Sequence, residues 1–128
     1  MKSFIILSFT LLVLACGCCT DRQARAHRVE YRRILSALQS LPYERLETAV
    51  QAFKRDRKPT DTTVPLRELV SDGYLRAEDI KDLTERDVSV SLTANETTPG
   101  EVLIRIRWSG RTDIVYYPDG SVEMEARP

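Results

Sequence analysis

Apolar residues in this chain follow three patterns, and each predicts a different structure. From Phe4 to Ala15 only Ser8 and Thr10 interrupt an apolar run of twelve residues. That is the length of the apolar stretch of an export signal and falls short of the ~20 residues needed to span a bilayer. From residue 22 the pattern turns helical. Val29, Tyr31, Ile34, Leu35, Leu38 and Leu41 approximate the three-four spacing of one apolar stripe, which predicts a helix over 22–41. Pro42 interrupts it. Leu46, Ala49, Val50 and Phe53 then share a face of a second helical stretch, with Ser40 as its expected cap, so the pair reads as one kinked helix or as two. Lys54 to Lys58 sets cations at its C-terminal end, where the helix dipole favours them.

Residues Pro59 to Pro65 read as a loop, and Leu66 to Val70 as a short helix that Pro65 opens and Gly73 ends. Ala77 to Leu83 adds a helical turn that buries Ile80 and Leu83. From Asp87 the period changes to two. Val88, Val90 and Leu92 alternate with Ser89, Ser91 and Thr93, and Val102, Ile104, Ile106 and Trp108 alternate with Leu103, Arg105 and Arg107. Ile114 to Tyr117 and Ser121 to Glu125 complete four strands, joined by turns at Asn95–Gly100, Ser109–Thr112 and Pro118–Ser121. The apolar face of this sheet is expected to cover the helix at Leu46 to Phe53. The other face, carrying Ser, Thr, Arg and Glu, is expected to face water, so Arg105 there should be nearly dispensable. Trp108 is expected in the core with its indole N–H near the surface. The expected fold is α+β: an N-terminal long or kinked helix packed on a four-stranded antiparallel meander sheet.

Composition narrows the function classes. The chain has 128 residues, and nineteen Lys plus Arg balance nineteen Asp plus Glu. It lacks the overall basic surplus typical of nucleic-acid binders, so no nucleic-acid partner is expected. An apolar fraction of 42% argues against a disordered chain. All three cysteines, Cys16, Cys18 and Cys19, precede the patterned region, so no disulfide framework is expected to staple it.

Candidate chemistry is sparse. The single histidine, His27, lies among arginines and far in sequence from any nucleophile, which reads as a surface residue. The five glycines form no phosphate-cradling loop. Glu78, Asp79 and Asp82 share a helical turn and read as a solvated face. Asp113, Asp119 and Glu123 are the carboxylates that a last hairpin could bring together on a hard cation, although hairpin tips are acidic for turn reasons as well. Asn95-Glu96-Thr97 has the form of a glycosylation acceptor in a turn. No catalytic, cofactor or metal site and no small-molecule substrate is read from these residues, and a non-enzymatic role is expected, with a small periplasmic hydrolase or ligand-binding enzyme as the alternative from another class.

Two resemblances add to this reading. Val13-Leu14-Ala15-Cys16, closing the apolar run behind Lys2, resembles the lipobox of bacterial lipoproteins. The resemblance implies a signal peptide over 1–15, lipidation of Cys16, a tether over 16–21 and one small α+β domain over 22–128. It also implies a membrane-anchored protein of the cell envelope on the periplasmic face. Gly17 follows the cysteine where an aspartate would retain the protein in the inner membrane, which favours the outer membrane. The alternatives left open are an uncleaved apolar anchor, supported by the positive charge of Arg22, Arg25, Arg28, Arg32 and Arg33 behind the run, and a plain cleaved signal. Those arginines read either as a solvated tether or as a patch against anionic headgroups. Residues 46–75, with Pro65-Leu66-Arg67-Glu68-Leu69-Val70 and Gly73-Tyr74-Leu75, resemble the pseudopilins of type II secretion systems. That resemblance implies a subunit of a secretion or pilus apparatus. The expected partners are the membrane and another envelope protein.

Overall fold

The computed structural model describes residues 22–128. Cys16 and the whole apolar run, with the signal, tether and lipidation expectations attached to them, lie outside the described residues. Internal contacts divide the chain after Ser36, and Ala37–Pro128 is the larger unit.

Helix α1 covers 22–39. Its arginines at 22, 25, 28, 32 and 33 are all exposed. At about 100° per residue they occupy one side of the helix within about 140°, opposite Ile34 and Leu38, which are buried. Helix α2 is a separate element, Tyr43–Arg57. The chain breaks at Ser40–Pro42 because Pro42 has no N–H to continue the ladder of α1. Ser40 is not the cap of α2: its hydroxyl donates back to Ala37 O at 3.3 Å. Pro42 holds the capping position, and its carbonyl accepts the first bond of the helix from Leu46 N–H at 3.0 Å. Leu46, Ala49, Val50 and Phe53 form the buried stripe of α2, as the spacing predicts. Lys58 ends it in the left-handed region, φ 46°.

The sheet has five strands and not four, all antiparallel and in sequential order: β1 Thr63–Pro65, β2 Val88–Ser91, β3 Ile104–Arg107, β4 Thr112–Tyr116 and β5 Val122–Ala126. The extra strand falls in the segment expected to be a loop. β1 is only three residues long and exists because β2 offers it a partner: Val64 faces Val90, and Leu92 N–H donates to Thr62 O at 2.8 Å. Pro65 is tolerated there because β1 is an edge. Helix α3, Leu66–Ser71, follows directly and packs on β1, β2 and α2. It closes as its glycine predicts. Gly73, at φ 85°, lets Tyr74 N–H reach Leu69 O (2.8 Å) while Gly73 N–H reaches Val70 O (3.1 Å). Ala77–Leu83 forms two 3₁₀ turns that bury Ile80 and Leu83.

The inner face of the sheet carries the core. Val64, Val90, Ile104 and Tyr116 stand in one cross-strand row and Val88, Ile106 and Ile114 in the next. Ile104 is 1% exposed, and Ile106 and Ile114 are fully buried. Trp108 lies one residue past β3 and is half-buried rather than in the core. The Arg86 guanidinium sits 5.0 Å from the centroid of its ring. Truncating Ile104 to alanine should cost about 2–4 kcal/mol, because a packed interior collapses only partly around a lost side chain. A urea melt of Ile104→Ala beside the parent chain measures it.

Candidate functional site

A partly enclosed cleft of about 320 Å³ lies between α2 and the β2–β3 side of the sheet. One face of α2 supplies Tyr43, Leu46, Glu47, Val50, Gln51 and Lys54, at the three-four spacing that keeps side chains on one side of a helix. Leu46, Val50, Val90 and Leu92 are buried and make the apolar floor. Glu47, Gln51 and the turn Thr93–Glu96 make a polar, exposed rim, with Lys54 half-buried at its edge.

The turn on the rim is held by its own side chains. Ser91 Oγ accepts from Ala94 N–H (2.9 Å) and Thr93 N–H (3.2 Å). Asn95 Oδ1 accepts from Thr97 N–H (2.8 Å), and Thr98 Oγ1 accepts from Asn95 N–H (2.9 Å). In this structure Asn95 and Thr97 build a turn, and their side chains are bonded to each other. At the other end of the cleft the rings of Tyr43 and Tyr116 stack at 5.2 Å, 10° from parallel. Tyr43 also donates to Leu38 O at 2.6 Å, which ties the start of α2 to the end of α1. Burial, reinforced by Tyr116, pushes the Tyr43 hydroxyl well above the usual phenol range, so it remains a donor at all ordinary pH. The cleft can therefore offer apolar area, a ring face, several hydrogen-bonding groups and one cation.

The opposite face of the sheet departs from expectation. It is not simply wetted: Val115 is fully buried, and Asp113, at 4% exposure, is the one buried charged residue among those described. Asp113 Oδ2 lies 3.2 Å from Arg105 Nη1, which also reaches Glu125 Oε1 at 3.1 Å. Asp113 Oδ1 lies 3.2 Å from Arg127 Nε, off the line of a hydrogen bond, so that contact is ionic. Arg127 also donates to Ser109 O. Val115 stands between Arg105 and Glu123 in register, where the stems of long charged side chains cover apolar surface. Arg105 is thus a structural residue. The hairpin β3–β4 turns around Gly110, so Arg107 faces Asp113 directly and Arg105 reaches it diagonally. Counting outward from Gly110 is the sequence signal that finds this cluster.

The three carboxylates offered for a cation do not converge. Asp113 is held by two arginines. Asp119 Oδ1 accepts from Ser121 N–H (2.9 Å) and Oγ–H (2.6 Å), bonds that hold its carboxyl below the usual range. Glu123 accepts from the Tyr117 hydroxyl at 3.2 Å. Among the described residues no cluster of His, Cys, Asp and Glu is placed to hold a metal ion. Asp79 pairs with Arg45 at 2.9 Å, beside shallow open depressions, and Glu78 and Asp82 are exposed. His27 is exposed on α1. Comparison of the chain with known protein families, with characterised proteins and with solved structures found no match.

Three substitutions separate these features. Asp113→Ala removes the carboxylate that two part-buried arginines share and should cost about 2–4 kcal/mol, whereas Arg105→Ala should cost about 1 kcal/mol, since Asp113 keeps Arg127. Tyr43→Phe keeps the ring stack and loses one part-buried hydrogen bond, so thermal melts should show a loss of about 1 kcal/mol.

Proposed function

We propose that this chain is a lipid-anchored protein of the bacterial cell envelope with a non-enzymatic binding or structural role. The observation that carries the proposal is Cys16 behind Val13-Leu14-Ala15 at the end of a twelve-residue apolar run. In this reading residues 1–15 are removed, Cys16 is acylated, and the folded part is held on the periplasmic face, with the outer membrane favoured by Gly17. Among the described residues no helix is long and apolar enough to cross a membrane. An acyl chain on Cys16 would supply the attachment by other means.

Two features of the folded part support a binding role. The cleft beside α2 combines a buried apolar floor with a polar rim, the composition of a recognition site. The arginines of α1 stand exposed on one side of that helix, and Arg22, the first of them, lies six positions after Cys16 in the sequence. A basic side chain close to anionic headgroups contributes about 1 kcal/mol, an attraction screened over about 8–10 Å. The arginines would then orient the anchored protein, while the lipid holds it.

Metabolic labelling with a fatty acid should mark the wild-type chain and not Cys16→Ser, which should persist as a larger precursor. Equal labelling of the two, or none in either, contradicts lipidation. Membranes carrying the full chain should keep it through a high-salt wash and release it to detergent. Release by salt alone would mean that charge, and not lipid, is the attachment.

A further inference from the structure

β5 forms one edge of the sheet, and four of its five residues are exposed. The direction of its unused backbone groups follows from the alternation of an antiparallel ladder, in which every second pair exchanges N–H···O=C bonds. Tyr117 N–H donates to Ser121 O at 2.9 Å, and Arg127 N–H donates to Arg111 O at 2.7 Å. Counting by two between these closing bonds makes Val115–Glu123 and Asp113–Glu125 the bonded pairs. The N–H and C=O groups of Val122, Met124 and Ala126 therefore point away from β4, toward the open edge. Side chains sort with the same period. Val122, Met124 and Ala126 lie on the apolar face, Met124 being 49% exposed. Glu123 and Glu125 lie on the other face.

Open edges are normally blunted by brevity, proline, lysine or a bulge. β1, the other edge, is three residues long and contains Pro65. β5 has five residues, continuous register and none of those devices. Its guard is the glutamate pair, and that guard is selective. Two copies paired antiparallel through Met124 would set Glu123 of one against Glu125 of the other, and like charges directly opposite destabilise a strand pair. A strand bearing Lys or Arg at those positions would instead gain two cross-strand ion pairs. Glu125 already meets Arg105 and Glu123 meets the Tyr117 hydroxyl, but each carboxylate has acceptor capacity left.

We propose that β5 is a docking edge for an extended segment of a protein partner in which apolar residues alternate with Lys or Arg, added to the sheet as a further strand. This inference is independent of how the chain is anchored.

The test uses the purified full chain and three synthetic eight-residue peptides: Val alternating with Lys, Val alternating with Glu, and the Val/Lys peptide N-methylated at alternate positions. The Val/Lys peptide should bind and slow amide exchange at Val122, Met124 and Ala126. The Val/Glu peptide should bind about tenfold more weakly. The N-methylated peptide, of the same charge but unable to extend the ladder, should not protect those amides. Glu123→Lys leaves the Arg105–Glu125 pair in place and should shift the preference toward the Val/Glu peptide. Met124→Pro removes an outward N–H and no bond to β4, so melting should stay near wild type while peptide binding is lost. Equal binding of the N-methylated peptide, protection elsewhere, or indifference to Met124→Pro would overturn the proposal. So would concentration-dependent self-association that Met124→Pro abolishes, since the occupant would then be a second copy.

Discussion

A one-residue slip of β4 against β3 would bring Asp113 and Val115 onto the face of Ile104 and Ile106 and turn Ile114 to the other side. The register of this one hairpin, centred on Gly110, therefore decides both faces of the sheet at once. On the inner face it aligns three isoleucines into the buried rows. On the outer face it sets Asp113 within reach of Arg105, and through β5 within reach of Arg127. The apolar preference and the charge pairing ask for the same register. Agreement between independent local preferences is what gives a small sheet one structure rather than several.

The buried carboxylate has a cost that its partners offset. A charge at 4% exposure without a partner would lose several kcal/mol of hydration. Arg105 and Arg127 come from different strands, β3 and the residue after β5, so Asp113 couples three strands and not two. The same cluster keeps Arg105 and Glu125 ordered on the outer face, and it leaves Glu123 and Glu125 as the acidic side of the open edge. Structural ion pairing and the surface available to a partner are thus built from the same few residues.

The two ends of the larger unit behave differently. At the α2 end, ring stacking between Tyr43 and Tyr116 and the buried stripe of the helix hold α2 against the sheet and leave a cleft beside it. At the β5 end nothing among the described residues covers the strand. A small domain buries a limited share of its surface. Among the described residues of the larger unit, Met124 on that edge is a large apolar side chain left half exposed, at 49%.

Local chemistry determined much of this protein without help from tertiary structure. The apolar stripe of α2, the break at Pro42, the close of α3 at Gly73, and the hairpin tip at Asp119–Gly120 all follow from spacing, from a missing N–H or from a positive φ. The alternation from Val88 onward marked the strands and their inner face. Tertiary structure decided what depends on a partner distant in sequence. Thr63–Pro65 has no alternation of its own and becomes a strand because Val90 and Leu92 stand beside it. Ser40 resembles a cap, yet the chain turns so that Pro42 occupies that position. Trp108 continues the apolar alternation but falls past the last ladder pair, and so is only half-buried, with Arg86 over its ring. Asp113 looked like one more hairpin acid; register and two arginines, one from β3 and one just past β5, made it the charged centre of the outer face. Periodicity is a property of neighbouring residues and can be read along the chain, whereas burial and ion pairing belong to neighbours that only the fold brings together.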